Sequence, residues 1–584
     1  MRPESVPVAS VTTVTSVTNI TNITNITKAT TFTPAVLPFI RHPGLKAGAA
    51  VSLLLGALNV FAFAPFGLWP LQLLCVAGLF ALVLGAATVR HAFVFGWLYS
   101  FAWTCAGVHW LYISLHDYGG MPGWLTVLSI SLLALGLGLI VGAATGGAAR
   151  LQRRWRARPA ITLLLILPAL WMLAEWTRCW IFTGFPWLGT GYAHTGSPLA
   201  GFAPIIGVYG ISQLAAIVSG AAVLLVLPVL QSRSQARSTS GSTAPLPAGP
   251  WAERNWIATA GIIVVLFGTG QALRMVDWTQ PHGKPITVRL LQGNIPQEMK
   301  FDQALLASTL GLYEGMIMQA PADLIATPET AIPVTRQQLP PEYLQRLADH
   351  AVSSGSHLLV GLPISDSPSQ YTNGLIVFDP VAPKVGPLPV PIALQPPVYR
   401  YDKHHLVPFG EFIPTGFRWF VDLMQIPLGD QTRGAALQAP FAVKDQWVMP
   451  NICYEDLFGE EIGAQIRERR LRNLPMPTMM INISNIAWFG DSFALPQHLQ
   501  ISQMRTLETG RPMLRATNTG ATAVIGPHGQ LQAQLAPFTR GSLSASVQGY
   551  DGMTPFIMLG NVSIVLLALL ALLAAALIAR RQCG

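Results

Sequence analysis

Residues 123–147 read GWLTVLSISLLALGLGLIVGAATGG, and none of these side chains is charged. A helix of about 20 apolar residues crosses the roughly 30 Å hydrocarbon core of a bilayer, and a helix satisfies its own backbone hydrogen bonds there. A basic cluster follows directly: Arg150, Arg153, Arg154, Arg156 and Arg158. The pattern predicts a transmembrane helix that ends in a basic loop.

Similar apolar runs recur on both sides of this one. Together they predict about eight transmembrane helices, at residues 46–64, 70–88, 91–114, 123–147, 160–178, 203–230, 256–274 and 556–579. The composition agrees, because 51% of the 584 residues are hydrophobic and only 11% are charged, whereas soluble domains carry about 25% charged residues. We therefore predict a membrane helical bundle in residues 45–274, completed by an eighth helix and a short cytoplasmic tail in residues 556–584.

The basic residues predict the orientation of the bundle. They precede the first span, lie in alternate loops or follow the last span: Arg41, Lys46, Arg90, the five arginines at 150–158, Arg233, Arg237, Arg254, Arg580 and Arg581. The loops at 115–123 and 179–197 contain no Lys or Arg. Basic loops stay in the cytoplasm, so an eight-helix path places both termini there and residues 275–555 in the periplasm. This clustering also accounts for the net charge of +9 without nucleic-acid binding.

The N-terminal segment has a different composition. Residues 1–44 are rich in Thr and Val and precede the first long apolar run, which starts near Lys46. Such a segment buries little apolar surface, and further spans follow the first, unlike the pattern of a cleaved signal peptide. We predict a disordered cytoplasmic tail.

Residues 275–555 change character again. Their apolar runs are short and bounded by Gly, Pro and Asn, as at 286–291, 324–326, 357–360 and 479–483, and helical patterns lie between them. This alternation is typical of an α/β domain. The segment is long enough to bury its own core.

The cysteines and histidines indicate no metal site. The five cysteines show neither paired nor zinc-type spacing, and His404, His405 and His498 lack partners at such spacing. Cys453 alone lies in a polar, motif-rich stretch. We expect a reactive thiol there, and neither a metal nor a cofactor.

Four short strings carry the candidate chemistry. They are Thr327-Pro328-Glu329-Thr330-Ala331, the run from Tyr401 to Glu411 (YDKHHLVPFGE), Asn451-Ile452-Cys453-Tyr454-Glu455, and residues 485–492 (NIAWFGDS). Each string alone is weak evidence of a catalytic site, because a Glu or a Lys in a loop is usually a solvated charge and a single Cys is usually buried. Together they combine a carboxylate, an ammonium and a thiol, which can activate one another.

The combination resembles the nitrilase, or carbon–nitrogen hydrolase, superfamily. With the eight-span frame and the strings at 63–67 (FAPFG), 109–112 (HWLY), 292–297 (QGNIPQ), 401–414 and 511–518 (RPMLRATN), the chain resembles the apolipoprotein N-acyltransferase family from about residue 45 to 580. The resemblance implies a nitrilase-like αββα sandwich in residues 275–555. The chain departs from the family pattern at Thr327, Ile486 and Phe301.

The resemblance implies a role for each site residue. Glu329 is the general base, Lys403 stabilises the oxyanion, and Cys453 is the nucleophile. A thiol with a pKa of about 8.5 is mostly protonated at neutral pH, so a base and a nearby cation are needed. Three further positions match supporting family positions: Glu411, Tyr454 and Glu455.

The resemblance also implies a reaction and its partners. Cys453 takes an acyl chain from a phospholipid as a thioester, and the α-amine of the diacylglyceryl-cysteine of an apolipoprotein then accepts it. The enzyme is expected to be a monomer in the bacterial inner membrane. A membrane-tethered amidase would explain the triad but not eight spans, and a transporter with an accessory domain would explain the spans but not the triad. A scaffold with a dead site is disfavoured because all three residues are present.

Overall fold

The computed structural model describes residues 44–238, 250–367, 370–381, 399–414, 416, 418 and 431–583. Apart from Gly44, the predicted N-terminal tail lies outside these residues. Seven helices form the first part of the bundle: α1 (Leu45–Asn59), α2 (Trp69–Leu84), α3 (Val89–Gly107), α4 (Gly123–Trp155), α5 (Pro159–Arg178), α6 (Ala203–Ser238) and α7 (Pro250–Leu273). The chain then forms an α/β domain and returns to the bundle.

The predicted spans each coincide with a helix, but their lengths differ. In the described part of the chain, six helices are long and apolar enough to cross a membrane. The helix α2 has only 16 residues, and α3, with 19 residues including Arg90 and His91, is not among the six. The predicted span 91–114 is too long, because α3 ends at Gly107 and a separate turn of π-helix covers Ile113–Tyr118. The number of eight crossings stays a prediction.

Small residues allow the first helices to pack closely. A Cβ atom at Gly96 of α3 would collide with Thr145 of α4, and one at Gly56 of α1 would collide with the backbone of Tyr99. Close backbone approach of this kind replaces the hydrophobic driving force that is missing between helices in lipid. Around it, the rings of Trp103 and Trp171 stack with centroids 6.3 Å apart. The bundle therefore has a tightly packed aromatic interior.

The α/β domain contains two six-stranded sheets. The strands are β1 (Gln280–Gln292), β2 (Leu324–Ala326), β3 (His357–Ser367), β4 (Gln370–Phe378), β5 (Tyr399–Asp402), β6 (Phe441–Val443), β7 (Gln446–Ile452), β8 (Met479–Ser484), β9 (Met513–Thr517), β10 (Ala523–Ile525), β11 (Leu531–Gln534) and β12 (Gly541–Asp551). The first sheet has the strand order β12-β1-β2-β3-β4-β5 and the second β11-β10-β9-β8-β7-β6. The helices are α8 (Leu306–Met318), α9 (Pro341–Ser354), α10 (Gly459–Leu471), α11 (Ala494–Thr509), α12 (Pro555–Leu559) and α13 (Val562–Cys583).

The two sheets face each other between two helical layers. Side chains such as Val288 and Leu359 of the first sheet pack against Ile452 and Ile481 of the second. The helices α8 and α9 cover the outer face of the first sheet, and α10 and α11 cover that of the second. The layering confirms the predicted αββα sandwich. The last predicted span is divided, because Gly560 (φ 55°) separates α12 from α13.

The domain is joined to one end of the bundle by buried polar contacts. Gln497 of α11 accepts hydrogen bonds from the indole N–H groups of Trp110 (3.2 Å) and Trp187 (2.8 Å). Glu508, also on α11, accepts one from the backbone N–H of Val208 (2.8 Å), beside the break that Gly207 (φ 63°) makes in α6. These contacts hold α11 against one end of the bundle.

Candidate active site

The three predicted catalytic residues each lie within three residues of the end of a strand. Glu329 lies in the loop after β2, Lys403 follows β5, and Cys453 follows β7 and begins the short helical turn Cys453–Leu457. Glu329 and Lys403 therefore come from the first sheet and Cys453 from the second. Cys453 has a φ of 52°, a left-handed conformation that costs about 1–3 kcal/mol outside glycine and concentrates at functional sites.

Lys403 lies between two carboxylates. Its Nζ atom is 3.2 Å from Oε1 of Glu329 and 2.7 Å from Oε1 of Glu411. The side chain of Lys403 is only 1% exposed, so both ion pairs lie away from bulk water. The amide of Asn373 donates to the same two oxygens, at 2.7 and 3.0 Å. The arrangement fixes the ammonium and the candidate base relative to each other.

The surroundings shift the pKa values of Glu329 and Lys403 toward their charged forms. Burial by itself would raise the pKa of Glu329, but the ammonium groups of Lys403 and Lys300 outweigh it and the pKa is lowered. Burial likewise opposes the charge on Lys403, and Glu329 and Glu411 overcome it and raise its pKa. At neutral pH the site therefore holds an ionised base beside a fixed cation.

Cys453 is protonated at rest. Removal of water from the thiol raises its pKa, the carboxylate of Glu329 raises it further, and Lys403 acts in the opposite direction. The side chain is only partly buried. A thiol of this kind becomes a nucleophile when a neighbouring base takes its proton.

Glu455 joins the lysine loop to the cysteine turn. Its Oε1 atom accepts hydrogen bonds from the backbone N–H groups of His404 (2.6 Å) and His405 (3.1 Å). Its Oε2 atom accepts from the N–H of Ile452 (2.6 Å) and from the hydroxyl of Tyr401 (3.0 Å). One carboxylate thus sets the distance between the segments that carry Lys403 and Cys453.

We expect Glu455→Ala to destabilise the domain and to lower activity. The substitution leaves several buried donors without an acceptor, and each such group costs about 1–3 kcal/mol. A thermal unfolding scan should show a clear fall in the unfolding temperature. The exposed Glu342→Ala is the matched control and should unfold as the parent protein does; equal unfolding of both variants would contradict the role given to Glu455.

Tyr454 and His405 connect the site to the bundle. The hydroxyl of Tyr454 donates to the carbonyl of Gly184 (2.9 Å). The His405 ring lies between the carbonyl of Thr183 and the carboxylate of Glu461, 2.8 Å from each, and stacks on Phe458. Tyr454 therefore anchors the nucleophile turn on the loop after α5.

Some site residues escaped the sequence reasoning. Asn373 was not singled out, although strand pairing places it opposite Lys403, whose N–H donates to its carbonyl (2.8 Å). Asn485 lies in a quoted string without an assigned role, and its backbone N–H donates to Oε2 of Glu329 (2.7 Å). A backbone contact of this type leaves no trace in residue identity. Within the described residues, no three His, Cys, Asp or Glu side chains are grouped as metal ligands.

The departures from the family pattern occupy different positions. Thr327 is buried, and its hydroxyl accepts a hydrogen bond from the N–H of Gly361 (3.0 Å). Ile486 is also buried, whereas Phe301 is exposed. None of the three displaces a residue of the triad.

Comparison with known proteins identifies both parts of the chain. Residues 55–221 match the family described as the apolipoprotein N-acyltransferase N-terminal domain, and residues 287–551 match the carbon-nitrogen hydrolase family. The apolipoprotein N-acyltransferase of Ralstonia nicotianae is 45% identical over 92% of this chain and 95% of its own length. That of Nitrosomonas europaea is 41% identical over 90% and 96%. A crystal structure of an amidase from Nesterenkonia sp. is 18% identical and covers 46% of this chain and 91% of its own, with a TM-score of 0.32. By the two relatives and the two matched domains, the chain belongs to the apolipoprotein N-acyltransferase family.

Proposed function

We propose that this acyltransferase moves a fatty acyl chain from a phospholipid to the α-amine of the diacylglyceryl-cysteine of an apolipoprotein. The observation that carries the proposal is that Glu329, Lys403 and Cys453 lie close enough to act on one another, at the end of a membrane bundle. The names of the relatives supply the acceptor class. A second carboxylate, Glu411, holds the lysine in place.

The first half-reaction acylates the enzyme at Cys453. Glu329 takes the proton of the Cys453 thiol, and the thiolate attacks the ester carbonyl of the phospholipid. The negative oxygen of the tetrahedral intermediate lies near the ammonium of Lys403, a fixed charge that needs no reorganisation. The carbon–oxygen bond breaks, the leaving lysophospholipid oxygen takes the proton back from Glu329, and Cys453 keeps the acyl chain as a thioester.

The second half-reaction forms the product amide. An α-amine with a pKa of about 8 is partly neutral at pH 7, and it attacks the thioester carbonyl. Glu329 takes a proton from the amine, the carbon–sulfur bond breaks, and Glu329 returns that proton to the leaving thiolate, which restores the thiol of Cys453. Both transfers use the same base, so Glu329 must be ionised at the start of each.

Apolar surface beside the site supports a lipid substrate. Phe489 packs on Trp110 of the bundle with ring centroids 4.4 Å apart, and Phe493 packs on Phe66, 5.2 Å away. Trp488 and Phe66 are exposed where the α/β domain meets the bundle. Acyl chains could leave the bilayer along these rings without entering water. One chain supplies the whole triad, so no second chain is needed to complete the site, and the monomeric state stays a prediction.

We further propose that the bundle lies in the bacterial inner membrane with the α/β domain in the periplasm. The contacts support this orientation. The domain forms hydrogen bonds with the loops after α1, α3 and α5. Gln500 accepts from the backbone N–H of Ala64, and Gln497 accepts from the indole of Trp110. Tyr454 donates to the carbonyl of Gly184. At the other end of the bundle, Arg153 donates to the carbonyl of Ala86 (2.7 Å), within the basic loops.

Reporter fusions test this orientation. Alkaline phosphatase fused after Gln280 should be active because it folds only in the periplasm, and the same enzyme fused after Arg153 should be inactive. A green fluorescent protein fused at the same two positions is the control and should give the opposite result. Phosphatase activity at Arg153 alone would contradict the orientation and the lipoprotein role together.

A further inference from the structure

A second lysine is buried beside the general base. Lys300 follows the short helical turn Gln297–Met299 after β1, and it is only 2% exposed. Its Nζ atom donates a hydrogen bond to the backbone carbonyl of Glu329 (3.0 Å). The triad assigns it no role. A buried lysine is costly unless its charge is compensated.

The loop that carries Lys300 fixes both the backbone and the side chain of Glu329. Lys300 holds the backbone carbonyl of Glu329, while Gln297 accepts a hydrogen bond from the side-chain amide of Asn485 (2.8 Å). The backbone N–H of Asn485 in turn donates to Oε2 of Glu329 (2.7 Å). Thr330, the next residue, has a φ of 50°, so the turn that carries Glu329 needs such fixing. The loop therefore sets the position of the base.

The carboxylates that face Lys403 outnumber its single positive charge. Glu329 and Glu411 both face Lys403, which leaves one negative charge in excess when only the triad and Glu411 are counted. Burial lowers the pKa of Lys300 to about 8, and Glu329 and Cys453 limit that fall, so the ammonium form predominates at pH 7. Lys300 also acts to lower the pKa of Glu329. Lys300 balances the charges of Glu329, Glu411 and Lys403. Two further buried acids lie nearby: Glu455, whose pKa Lys403 acts to lower, and Asp456, which acts on Cys453 and pairs with Arg515.

We infer that Lys300 is a positioning residue that fixes the Glu329 turn and supplies the second cation that keeps Glu329 ionised for both half-reactions. The inference rests on the proposed function, in which Glu329 must accept a proton twice. Lys300 acts through Glu329 and does not itself exchange a proton with the substrate.

Three substitutions separate the charge from the hydrogen bond. Lys300→Met removes both, Lys300→Gln keeps a donor without the charge, and Lys300→Arg keeps the charge. Two rates are measured between pH 3.5 and 9, a range that includes the ionisation of Glu329: acylation of the enzyme by phospholipid in a single turnover, and alkylation of Cys453 by iodoacetamide, located by peptide mass spectrometry. The second rate needs no lipid. The exposed Lys284→Met is the matched control.

We expect the acidic limb of both profiles to move to higher pH by about one unit or more in Lys300→Met and Lys300→Gln. Lys300 acts to lower the pKa of Glu329, and a nearby opposite charge commonly lowers a carboxylate pKa by about 1–3 units. Its loss therefore raises the pKa of Glu329, and less base is ionised at a given pH. Lys300→Arg should keep the limb of the parent protein, and Lys284→Met should match the parent protein throughout.

A lower rate with an unmoved acidic limb in Lys300→Met and Lys300→Gln would overturn the inference, because it would indicate a packing role alone. Thermal unfolding of each variant identifies misfolded protein, and Lys300→Gln serves if Lys300→Met fails to fold. If the proposed acyl transfer were wrong, the parent protein would not be acylated by phospholipid, whereas the alkylation profiles would still test Lys300.

Discussion

Lys403→Met should lower the rate of acyl transfer by about 100-fold to 1,000-fold, the usual effect of removing one oxyanion donor. Methionine keeps roughly the length of the side chain and removes its charge. The substitution also leaves Glu329 and Glu411, which now share one ammonium, to repel each other. The pKa of Glu329 should therefore rise, and a smaller fraction of Glu329 should be ionised at a given pH. Single-turnover transfer from phospholipid to a diacylated lipopeptide measures both effects.

The matched control for this experiment is Lys444→Met. Lys444 is exposed and pairs with Asp323 at the edge of the domain, and surface ion pairs of this kind contribute about 0–1 kcal/mol. This variant should transfer acyl chains at the rate of the parent protein. Full activity in Lys403→Met, with normal membrane insertion, would remove Lys403 from the mechanism.

The local parts of the site could be predicted from the sequence. Glu329 follows the short apolar run at 324–326, so it could be placed after a strand. Cys453 stood in a polar, motif-rich stretch, and the lysine stood in a string with Glu411. The apolar runs likewise gave the positions of the membrane helices. In these cases the pattern lies within about 20 consecutive residues, where hydrophobic periodicity is informative.

The relations between distant segments could not be predicted in this way. The triad draws Glu329 and Lys403 from one sheet and Cys453 from the other, so its geometry depends on how two sheets face each other. The helix ends were also missed where tertiary contacts decide them. Trp110 lies in an apolar run, yet the chain leaves the helix at Gly107, and the Trp110 indole bonds the carbonyl of Gly107 and the amide of Gln497 instead.

The contacts of Glu508 illustrate the same limit. Its carboxylate accepts from the first N–H after the break at Gly207, 300 residues away in the chain. Because a helix N-terminus leaves unpaired N–H groups, any acceptor can satisfy them, and the sequence does not indicate which one does.

Phospholipid alone should leave one acyl chain on Cys453. Transfer between two lipid substrates through one thiol follows a ping-pong path, so the first half-reaction needs no acceptor. Neutral hydroxylamine should release the chain, because it cleaves thioesters. Glu329→Gln should not be acylated, since a neutral amide cannot take the proton of a thiol whose pKa is raised. Cys453→Ser is the matched control for the attachment site and should carry no thioester.

The fate of that acyl group distinguishes the possible functions. A diacylated lipopeptide should discharge the enzyme and become an amide that hydroxylamine does not cleave. A membrane-tethered amidase would instead hydrolyse the thioester and release free fatty acid, and a transporter would never be acylated. Burial of the base and the lysine is consistent with exclusion of water from the thioester.

Intact-protein mass spectrometry before and after phospholipid, and again after lipopeptide, tests the central claim most directly. The account predicts a mass increase of one acyl group that maps to Cys453 and not to Cys75, Cys105, Cys179 or Cys583, followed by its loss as the lipopeptide gains an amide-linked chain. An unmodified Cys453 in a preparation that still transfers acyl chains would contradict it.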